Sequence, residues 1–299
     1  MTPTARRQWA LALIFVTPAF WGVNYLVARS AVGVIEPHLL ATLRWAMAAL
    51  LFAIPTWREL VRHRSHVAAE WRRYLVLGAL GMWICGAWVY IGARTTAAIN
   101  IALIYALSPV LIALVSALWL KERFRRAQAL GVALALAGVV HVILKGQWSS
   151  LAGVTLVPGD AWIFAATLSW TLYSVLLRRW PCPLSPMARL AAISAAGVLV
   201  LVPFTAWEIA LASAPALNWP GLWLALVAAA IPGFAAYLAY AVMQRELGAA
   251  RVAVVLYLGP IYAAGLAWLF LHEPLHGFHA AGMALVLAGI YLVNRASPR

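Results

Sequence analysis

The sequence contains little charge, and negative charge is the scarcest. Only 10% of its 299 residues are Asp, Glu, Lys or Arg, and only 8 residues are acidic. A soluble domain carries about 25% charged residues, whereas 65% of this chain is hydrophobic and its mean hydropathy is +0.89. No soluble fold of this size could cover so much apolar surface, so soluble enzymes and soluble binding domains are excluded.

Cysteine is almost absent as well. Cys85 lies inside an apolar run, and Cys182 lies in a Pro-Cys-Pro loop. Neither has the spacing of a metal site or of a disulfide framework. We expect both thiols to be inert, and we expect no metal and no cofactor.

Basic residues outnumber acidic ones and give a net charge of +14. In a soluble chain this excess would suggest nucleic-acid binding. Here the Lys and Arg residues lie in short loops between apolar runs, where they orient membrane helices. Nucleic acid is therefore not an expected partner.

One stretch of the chain occurs twice. It reads LSPVLIALVSALWLKERFRRAQALGVALALAGV from Leu107 and LGPIYAAGLAWLFLHEPLHGFHAAGMALVLAGI from Leu258. At one constant offset, the matched residues are Pro109 with Pro260, Glu122 with Glu273, Gly131 with Gly282 and Gly138 with Gly289. Such self-similarity indicates a repeat architecture, with one copy in residues 1–146 and the other in 147–299.

Each copy contains apolar runs long enough for membrane helices, which need about 17–25 residues each. The longest connection is a basic loop at 56–72. The predicted all-α membrane fold has ten transmembrane helices, near 9–28, 38–55, 73–92, 98–119, 127–144, 160–177, 187–206, 221–242, 251–271 and 278–293.

The first run follows two arginines and could be a signal peptide. However, its WGVNYLVAR from Trp21 matches WTLYSVLLR from Trp170 in the second copy. A segment with a counterpart in the other copy is a structural helix, so we expect it to belong to the bundle.

Lys and Arg residues predict the orientation of these helices. With a cytoplasmic N-terminus, eighteen of the 22 fall on the cytoplasmic side, and three, Arg29, Arg94 and Lys145, fall on the other. This bias predicts that both termini are cytoplasmic. Because five helices is an odd number, the second copy would be inverted, and inverted repeats are typical of secondary transporters.

Several features of the two copies point to one family. They are the duplicated five-helix unit, the Trp21 and Trp170 helices, Pro37 followed by Arg44, and P(x)12E(x)8G(x)6G at Pro109 and Pro260. In these features the whole chain resembles the EamA family of the drug/metabolite transporter superfamily. The resemblance implies an inner-membrane exporter of small metabolites such as amino acids, working without ATP, with a cavity between the halves. Export rather than uptake rests on the resemblance alone.

Polar and aromatic residues at helical spacing inside the apolar runs predict the lining of that cavity. Trp and Tyr also concentrate at membrane interfaces, and that is the alternative for each. Six tryptophans near helix ends are expected at the interfaces: Trp9, Trp57, Trp71, Trp148, Trp180 and Trp219. The candidate substrate-binding residues are Trp21, Asn24, Tyr25, Arg44, Trp83, Tyr90, Trp170, Tyr173, Tyr237 and Tyr240.

Arg44 is the strongest of these candidates, because placing an arginine inside a membrane helix costs about 2.5–3.5 kcal/mol of free energy on insertion scales. Its partner would be a substrate carboxylate or the carbonyls of a neighbouring helix. Alternatively, its long side chain extends to the interface, since the helix end is about six residues, or roughly 9 Å, away.

The acidic residues lie in loops or at helix ends, which disfavours the proton-coupled export of cationic drugs. Asp160 is the nearest exception, and it is expected to be a helix N-cap. We expect Glu122 and Glu273 to cap the next helix or to pair with nearby basic residues.

The segment HEPLH from His272 formally matches the zinc-protease motif HExxH, with His279 as a third potential ligand. That motif requires two histidines on one continuous helix, and Pro274 interrupts it. A polar turn is the expected structure.

The sequence thus predicts a secondary transporter, not an enzyme, that exports small organic metabolites by alternating access. Alternatives are an efflux pump for hydrophobic drugs, a membrane-embedded enzyme at HEPLH, and a membrane scaffold. The expected partners are a small-molecule substrate and the lipid bilayer of the bacterial inner membrane. A proton or another coupling ion, and a monomer or a homodimer, stay open.

Overall fold

A computed structural model describes residues 3–119, 126–148, 157–211, 217–247 and 254–295. All the regular secondary structure in these ranges is helical. The helices are α1 (Pro3–Ser30), α2 (Pro37–Arg62), α3 (Arg64–Ala69), α4 (Trp71–Gly78), α5 (Cys85–Gly92), α6 (Ala98–Tyr105), α7 (Ser108–Trp119), α8 (Arg126–Ile143), α9 (Pro158–Arg179), α10 (Pro186–Leu211), α11 (Trp219–Ala228), α12 (Ala236–Leu247), α13 (Val254–Leu271) and α14 (Gly277–Arg295).

Two π-helical segments join some of these helices end to end. Ala79–Ile84 connects α4 to α5, and Ala229–Ala235 connects α11 to α12. Each joined unit is one span, Trp71–Gly92 and Trp219–Tyr240. A π turn holds more residues than an α turn and is often found at functional sites.

Six helices of the described chain are long and apolar enough to cross a membrane. They are Gln8–Ser30, Pro37–Arg62, Trp71–Gly92, Pro158–Leu177, Pro186–Leu211 and Trp219–Tyr240. Shorter apolar helical stretches accompany them at Ala98–Ile112, which spans α6 and the start of α7, and at Ala129–Val142, Ile261–Leu271 and Gly277–Gly289. The protein is therefore a helical, multi-pass membrane protein.

Local sequence accounts for several helix starts. Proline occupies the first turn of α2, α9 and α11. N–H groups in the first turn have no acceptor within the helix, so the N–H that proline lacks costs no hydrogen bond there. In α11, Asn218 is the N-cap, and its Oδ1 accepts a hydrogen bond of 2.7 Å from the Gly221 N–H.

The predicted helix 98–119 is wrong in one respect, because the chain forms two helices there. α6 ends at Tyr105 and α7 begins at Ser108. In a continuous helix, a proline clashes with the carbonyl four residues before it, and for Pro109 that residue is Tyr105. The Ser108 hydroxyl instead donates to the Tyr105 carbonyl at 2.6 Å.

The predicted loop 56–72 is also wrong, because most of it is helical. α2 continues to Arg62, about two turns beyond residue 55, and α3 fills the segment that follows. A proline inside an apolar helix, here Pro55, did not end the helix.

The first helix belongs to the bundle, as predicted. α1 packs against α13 and α12. The tryptophans predicted at the interfaces are mostly exposed in the structure, while Trp180 is half-buried. The exposed ones are Trp9, Trp57, Trp71, Trp148 and Trp219.

α2 and α10 form an antiparallel pair whose ends are joined by carboxylates. Glu208, near the end of α10, accepts hydrogen bonds from the N–H groups of His38 and Leu39 at 2.8 and 3.1 Å. Glu59, near the end of α2, accepts from the N–H and hydroxyl of Ser185 at 2.5 and 2.7 Å. Each glutamate thus supplies an acceptor to the unpaired N–H groups at the partner's start, where the helix dipole favours negative charge.

Glu273 performs the same function at α6. It accepts from the N–H groups of Ala98 and Ile99 at 2.9 and 3.2 Å, and it lies 3.7 Å from Nε of Arg29. The predicted basic partner is therefore confirmed, but the capped helix is α6 and not the next helix in the chain. Its counterpart Glu122 lies outside the described residues.

Asp160 is not the N-cap of α9, because that position is Val157. The aspartate lies in the first turn and is buried, and its Oδ1 accepts a hydrogen bond of 2.9 Å from the Thr96 hydroxyl. It therefore links α9 to the segment before α6.

α8 and α14 approach each other closely through glycines. A Cβ atom at Gly138 would lie 2.7 Å from the Gly282 carbonyl oxygen, and one at Gly282 would lie 2.9 Å from that of Gly138. A Cβ at Gly289 would likewise collide with the Gly131 carbonyl. Small residues at these positions allow the two backbones to touch.

We expect Glu208→Ala to destabilise the protein, because it leaves two N–H groups at the start of α2 without their acceptor. Loss of a cap costs about 0.5–2 kcal/mol, and a clearly lower midpoint of thermal unfolding in detergent should follow. Glu70→Ala is the control, since it removes a partly exposed ion pair with Arg73 and no side-chain cap of a helix; such a pair is worth about 0–1 kcal/mol. Equal midpoints for the two variants would contradict the capping role.

Gly282→Ala should also lower the unfolding midpoint, because its Cβ would press on Val142 and on the Gly138 carbonyl. Gly265→Ala is the matched control in the other helix of the same hairpin, since a Cβ there meets nothing within 4 Å. In open space, alanine stabilises a helix by roughly 0.5–1 kcal/mol relative to glycine. A neutral or stabilising effect of Gly282→Ala would show that α8 and α14 do not touch there.

Candidate functional site

A cavity of about 150 Å³ lies among α1, α2, α5 to α7, α9, α12, α13 and the π-helical segment Ala79–Ile84. A cavity of about this volume admits a molecule the size of benzene. Its lining residues are Pro18, Trp21, Gly22, Asn24, Tyr25, Arg44, Trp45, Gly81, Cys85, Gly86, Ala102, Tyr105, Ala106, Ser108, Ile112, Trp170, Tyr237 and Gly259.

Arg44 is held in the wall of this cavity by two polar side chains. Its Nη1 donates to Asn24 Oδ1 at 2.7 Å and to the Tyr90 hydroxyl oxygen at 3.0 Å. The Tyr90 hydroxyl in turn donates to Asn24 Oδ1 at 3.1 Å. The three residues come from α2, α1 and α5, so this closed triangle fixes the guanidinium where three helices meet.

The Arg44 side chain is only 5% exposed, and this excludes the alternative in which it extends to the interface. Its Cζ lies 4.6 Å from the centre of the Trp45 ring, a cation–π distance. Among the described residues it has no acidic partner within 4.0 Å. Its hydrogen-bond partners among the described residues are side chains, so the alternative of neighbouring carbonyls finds no support.

Two donors beside this triangle lack acceptors. Nε of Arg44 and Nε1 of Trp45 are buried without a hydrogen-bond partner in the described structure. An unpaired buried donor costs about 1–3 kcal/mol. The cavity wall is therefore rich in donors and suited to a ligand that supplies acceptor oxygens.

Aromatic rings form most of the remaining wall. Trp170 contacts Tyr237 with ring centres 6.4 Å apart, and Tyr237 contacts Trp45 at 6.1 Å. Tyr25 and Tyr105 lie 6.0 Å apart. Such rings pack well against an apolar or aromatic ligand group.

The structure brings together six of the ten residues predicted from the sequence. Those that line the cavity are Trp21, Asn24, Tyr25, Arg44, Trp170 and Tyr237. Three others form a layer behind them: Tyr90 bonds Arg44, Tyr173 stacks on Trp170 at 5.2 Å, and Tyr240 contacts Trp21 at 5.6 Å.

Trp83 is not among the lining residues. It stacks on Phe204 of α10 at 4.1 Å and meets the edge of Trp88 at 6.0 Å. The sequence placed Trp83 and Tyr90 on one face, on the assumption of regular α-helical spacing. Trp83 lies inside the π-helical segment Ala79–Ile84, where the wider turn shifts residues to another face.

Sequence reasoning missed a second polar region of the cavity. The Tyr105 hydroxyl donates to the Cys85 carbonyl at 3.1 Å and lies 3.3 Å from the Cys85 thiol. Ser108 lies one turn further on and also lines the cavity. Pro109 could have predicted this region from the sequence, since a proline that breaks a helix exposes polar backbone groups inside an apolar run. Trp45 was missed although it follows Arg44 directly.

The HEPLH segment has a structural function in the described chain. Both Glu273 oxygens accept backbone N–H groups of α6, and the N–H of His276 donates to Nδ1 of His279 at 3.2 Å. Within the described residues, no group of three or more His, Cys, Asp or Glu side chains is placed to hold a metal ion.

Comparisons with known proteins agree on one family. The model of the EamA-like transporter family matches residues 8–144 and 157–295. The uncharacterized transporter YyaM of Bacillus subtilis is 28% identical over 91% of this chain and 88% of its own length. A probable amino-acid metabolite efflux pump of Salmonella typhimurium is 25% identical over 96% of this chain and 95% of its own.

One crystal structure of a protein that is 23% identical superposes with a TM-score of 0.63 and covers 95% of both chains. At this identity the likeness concerns the fold alone. The helices of the two proteins are therefore arranged alike over most of both chains.

We expect the Asn24, Tyr90 and Arg44 triangle to contribute to stability in a graded way. Asn24→Leu removes the acceptor of two buried donors, whereas Tyr90→Phe leaves the bond from Arg44 to Asn24 intact. With about 1–3 kcal/mol for each stranded donor, Asn24→Leu should lower the thermal unfolding midpoint more than Tyr90→Phe. The reverse order, or no effect of either variant, would show that the triangle is not formed.

Proposed function

Because this chain belongs to the EamA-like transporter family, we propose that it exports small carboxylate-bearing metabolites, amino acids or similar compounds, across the bacterial inner membrane. Like the relatives named as transporters, it is a membrane transporter and not an enzyme. The proposal concerns the substrate, the direction of transport and the residues that bind.

One observation carries the proposal, which is the buried Arg44 in the cavity wall. A cation inside a membrane helix is costly and marks a substrate pathway or a binding site. Asn24 and Tyr90 orient the guanidinium but leave its Nε without an acceptor. A substrate carboxylate matches the planar donor fork of arginine and would neutralise its charge.

The aromatic wall would enclose the apolar part of the substrate. Trp21, Tyr25, Trp170 and Tyr237 lie around the same space as Arg44, and binding sites of this kind combine apolar walls with a few polar groups that set the orientation. The name of the Salmonella typhimurium relative, a probable amino-acid metabolite efflux pump, supports the amino-acid class.

We propose ten transmembrane helices in two inverted five-helix repeats, 1–146 and 147–299. The packing supports this arrangement because exchanging the repeats exchanges equivalent contacts. α2 packs on α10, and α8 packs on α14; in each case the two helices are equivalent members of the two repeats. α1 of the first repeat packs on α13 of the second, and in the same way α9 of the second repeat packs on α6 and α7 of the first. The two π-helical segments also occupy equivalent positions in the third helix of each repeat.

Alternating access would then move the halves about the cavity between them. The bias of Lys and Arg supports cytoplasmic termini, and a proton or another ion remains the candidate for coupling. Efflux of hydrophobic drugs is the second candidate function, favoured by the aromatic rings of the wall. It requires no anion at Arg44, so the two functions differ in their dependence on this residue.

We expect Arg44→Ala to reduce the efflux of a labelled amino acid from preloaded proteoliposomes at least about tenfold, equivalent to about 1.4 kcal/mol. The physical reason is the loss of the Arg44 cation, which would face the substrate carboxylate from the cavity wall. Arg44→Lys should recover part of the flux, because it retains the charge but not the planar fork. Initial rates are measured across an amino-acid panel, with and without an imposed proton gradient.

Lys145→Gln is the matched control, since it also removes one positive charge but lies outside the cavity. Its flux should equal that of the wild type. Flux that survives Arg44→Ala would favour drug efflux, and no flux of any amino acid by the wild type would rule out the amino-acid class. A scaffold would carry no flux of either kind.

A further inference from the structure

Three arginines lie over exposed tryptophan rings at one end of the helix bundle. Their Cζ atoms are 5.4 to 5.5 Å from the ring centres, within the range of a cation–π contact. These three Arg–Trp pairs are Arg58 with Trp57, Arg72 with Trp71, and Arg179 with Trp119.

Contacts between the helices show that the pairs share one end. Glu59 beside the first pair reaches Ser185 at the start of α10. Arg73 beside the second pair lies 5.6 Å from the ring of Trp180, which directly follows α9. The third pair itself joins the ends of α7 and α9. We call this the basic end of the bundle.

The arginines at the opposite end have acidic partners. Arg29 lies 3.7 Å from Glu273, and Arg94 lies 2.5 Å from Glu36. Among the described residues, none of the arginines in the three Arg–Trp pairs lies within 4.0 Å of a carboxylate oxygen. The two acids nearby in sequence are occupied, Glu59 by Ser185 and Glu70 by Arg73.

An apolar stripe on α2 leads to the first pair. Leu50, Ile54, Trp57 and Val61 recur at intervals of three and four residues, which places them on one helix face, and all four are more than half exposed. An acyl chain that lies along this stripe would bring its headgroup to Arg58. Trp side chains occupy the same headgroup level in membranes.

We infer that the three Arg–Trp pairs bind the phosphates of anionic phospholipids at the basic end. Each guanidinium lacks a carboxylate partner among the described residues, matches the geometry of a phosphate, and is held in place by the ring beneath it. Attraction to an anionic membrane surface strengthens affinity roughly fivefold for each arginine. The pairs thus form a lipid site separate from the transport cavity.

The test compares lipid binding by the purified full chain in detergent, with phosphatidylglycerol and phosphatidylcholine of equal acyl length. Native mass spectrometry counts the retained lipids, and the shift in thermal unfolding on lipid addition gives a second reading. The wild type should retain phosphatidylglycerol in clear preference to phosphatidylcholine. The triple variant Arg58→Gln, Arg72→Gln, Arg179→Gln should lose most of that preference.

Two controls separate this site from general effects. The double variant Arg29→Gln, Arg94→Gln removes positive charge at the opposite end and should keep the wild-type preference. The unfolding midpoint of the triple variant in phosphatidylcholine should lie close to that of the wild type, since the variant loses three exposed cation–π contacts but no ion pair seen among the described residues. No preference in the wild type, an undiminished preference in the triple variant, or an equal loss in the double variant would overturn the inference.

Discussion

Helix starts leave backbone N–H groups without partners, and inside a bilayer no water satisfies them. In the described part of this chain, carboxylates from distant parts of the sequence accept some of these groups. Glu208 supplies the start of α2, Glu59 the start of α10, and Glu273 the start of α6. These three carboxylates therefore fix which parts of the chain meet at the starts of α2, α10 and α6, and the arrangement of these helices depends on them.

The chemistry of the interior follows from this use of the acids. While these three carboxylates cap helix starts, Arg44 is stabilised in the cavity wall by neutral partners, Asn24 and Tyr90, and by the ring of Trp45. Neutral partners orient the guanidinium without cancelling its charge. Its attraction for a ligand anion is therefore retained in an environment of low dielectric constant, where such attraction is strong.

Hydropathy and the internal repeat predicted most of the helices, because apolar length is a local property of the sequence. The candidate site was predicted in part for the same reason: Trp21, Asn24 and Arg44 are polar or aromatic residues inside apolar runs. The prediction that Trp83 lines the cavity was wrong because a π-helical turn changes which way its residues face, and the local sequence gives no sign of such a turn. The caps from Glu208 and Glu59 could not be predicted, since each joins residues more than a hundred positions apart.

The paired caps of α2 and α10 also limit how these two helices can move. A slip of one turn along the helix axis displaces each carboxylate by about 5.4 Å, and no hydrogen bond survives that displacement. The two opposing caps would break together in either direction of sliding. α2 and α10 therefore resist sliding past each other, and a displacement of one along its axis carries the other with it.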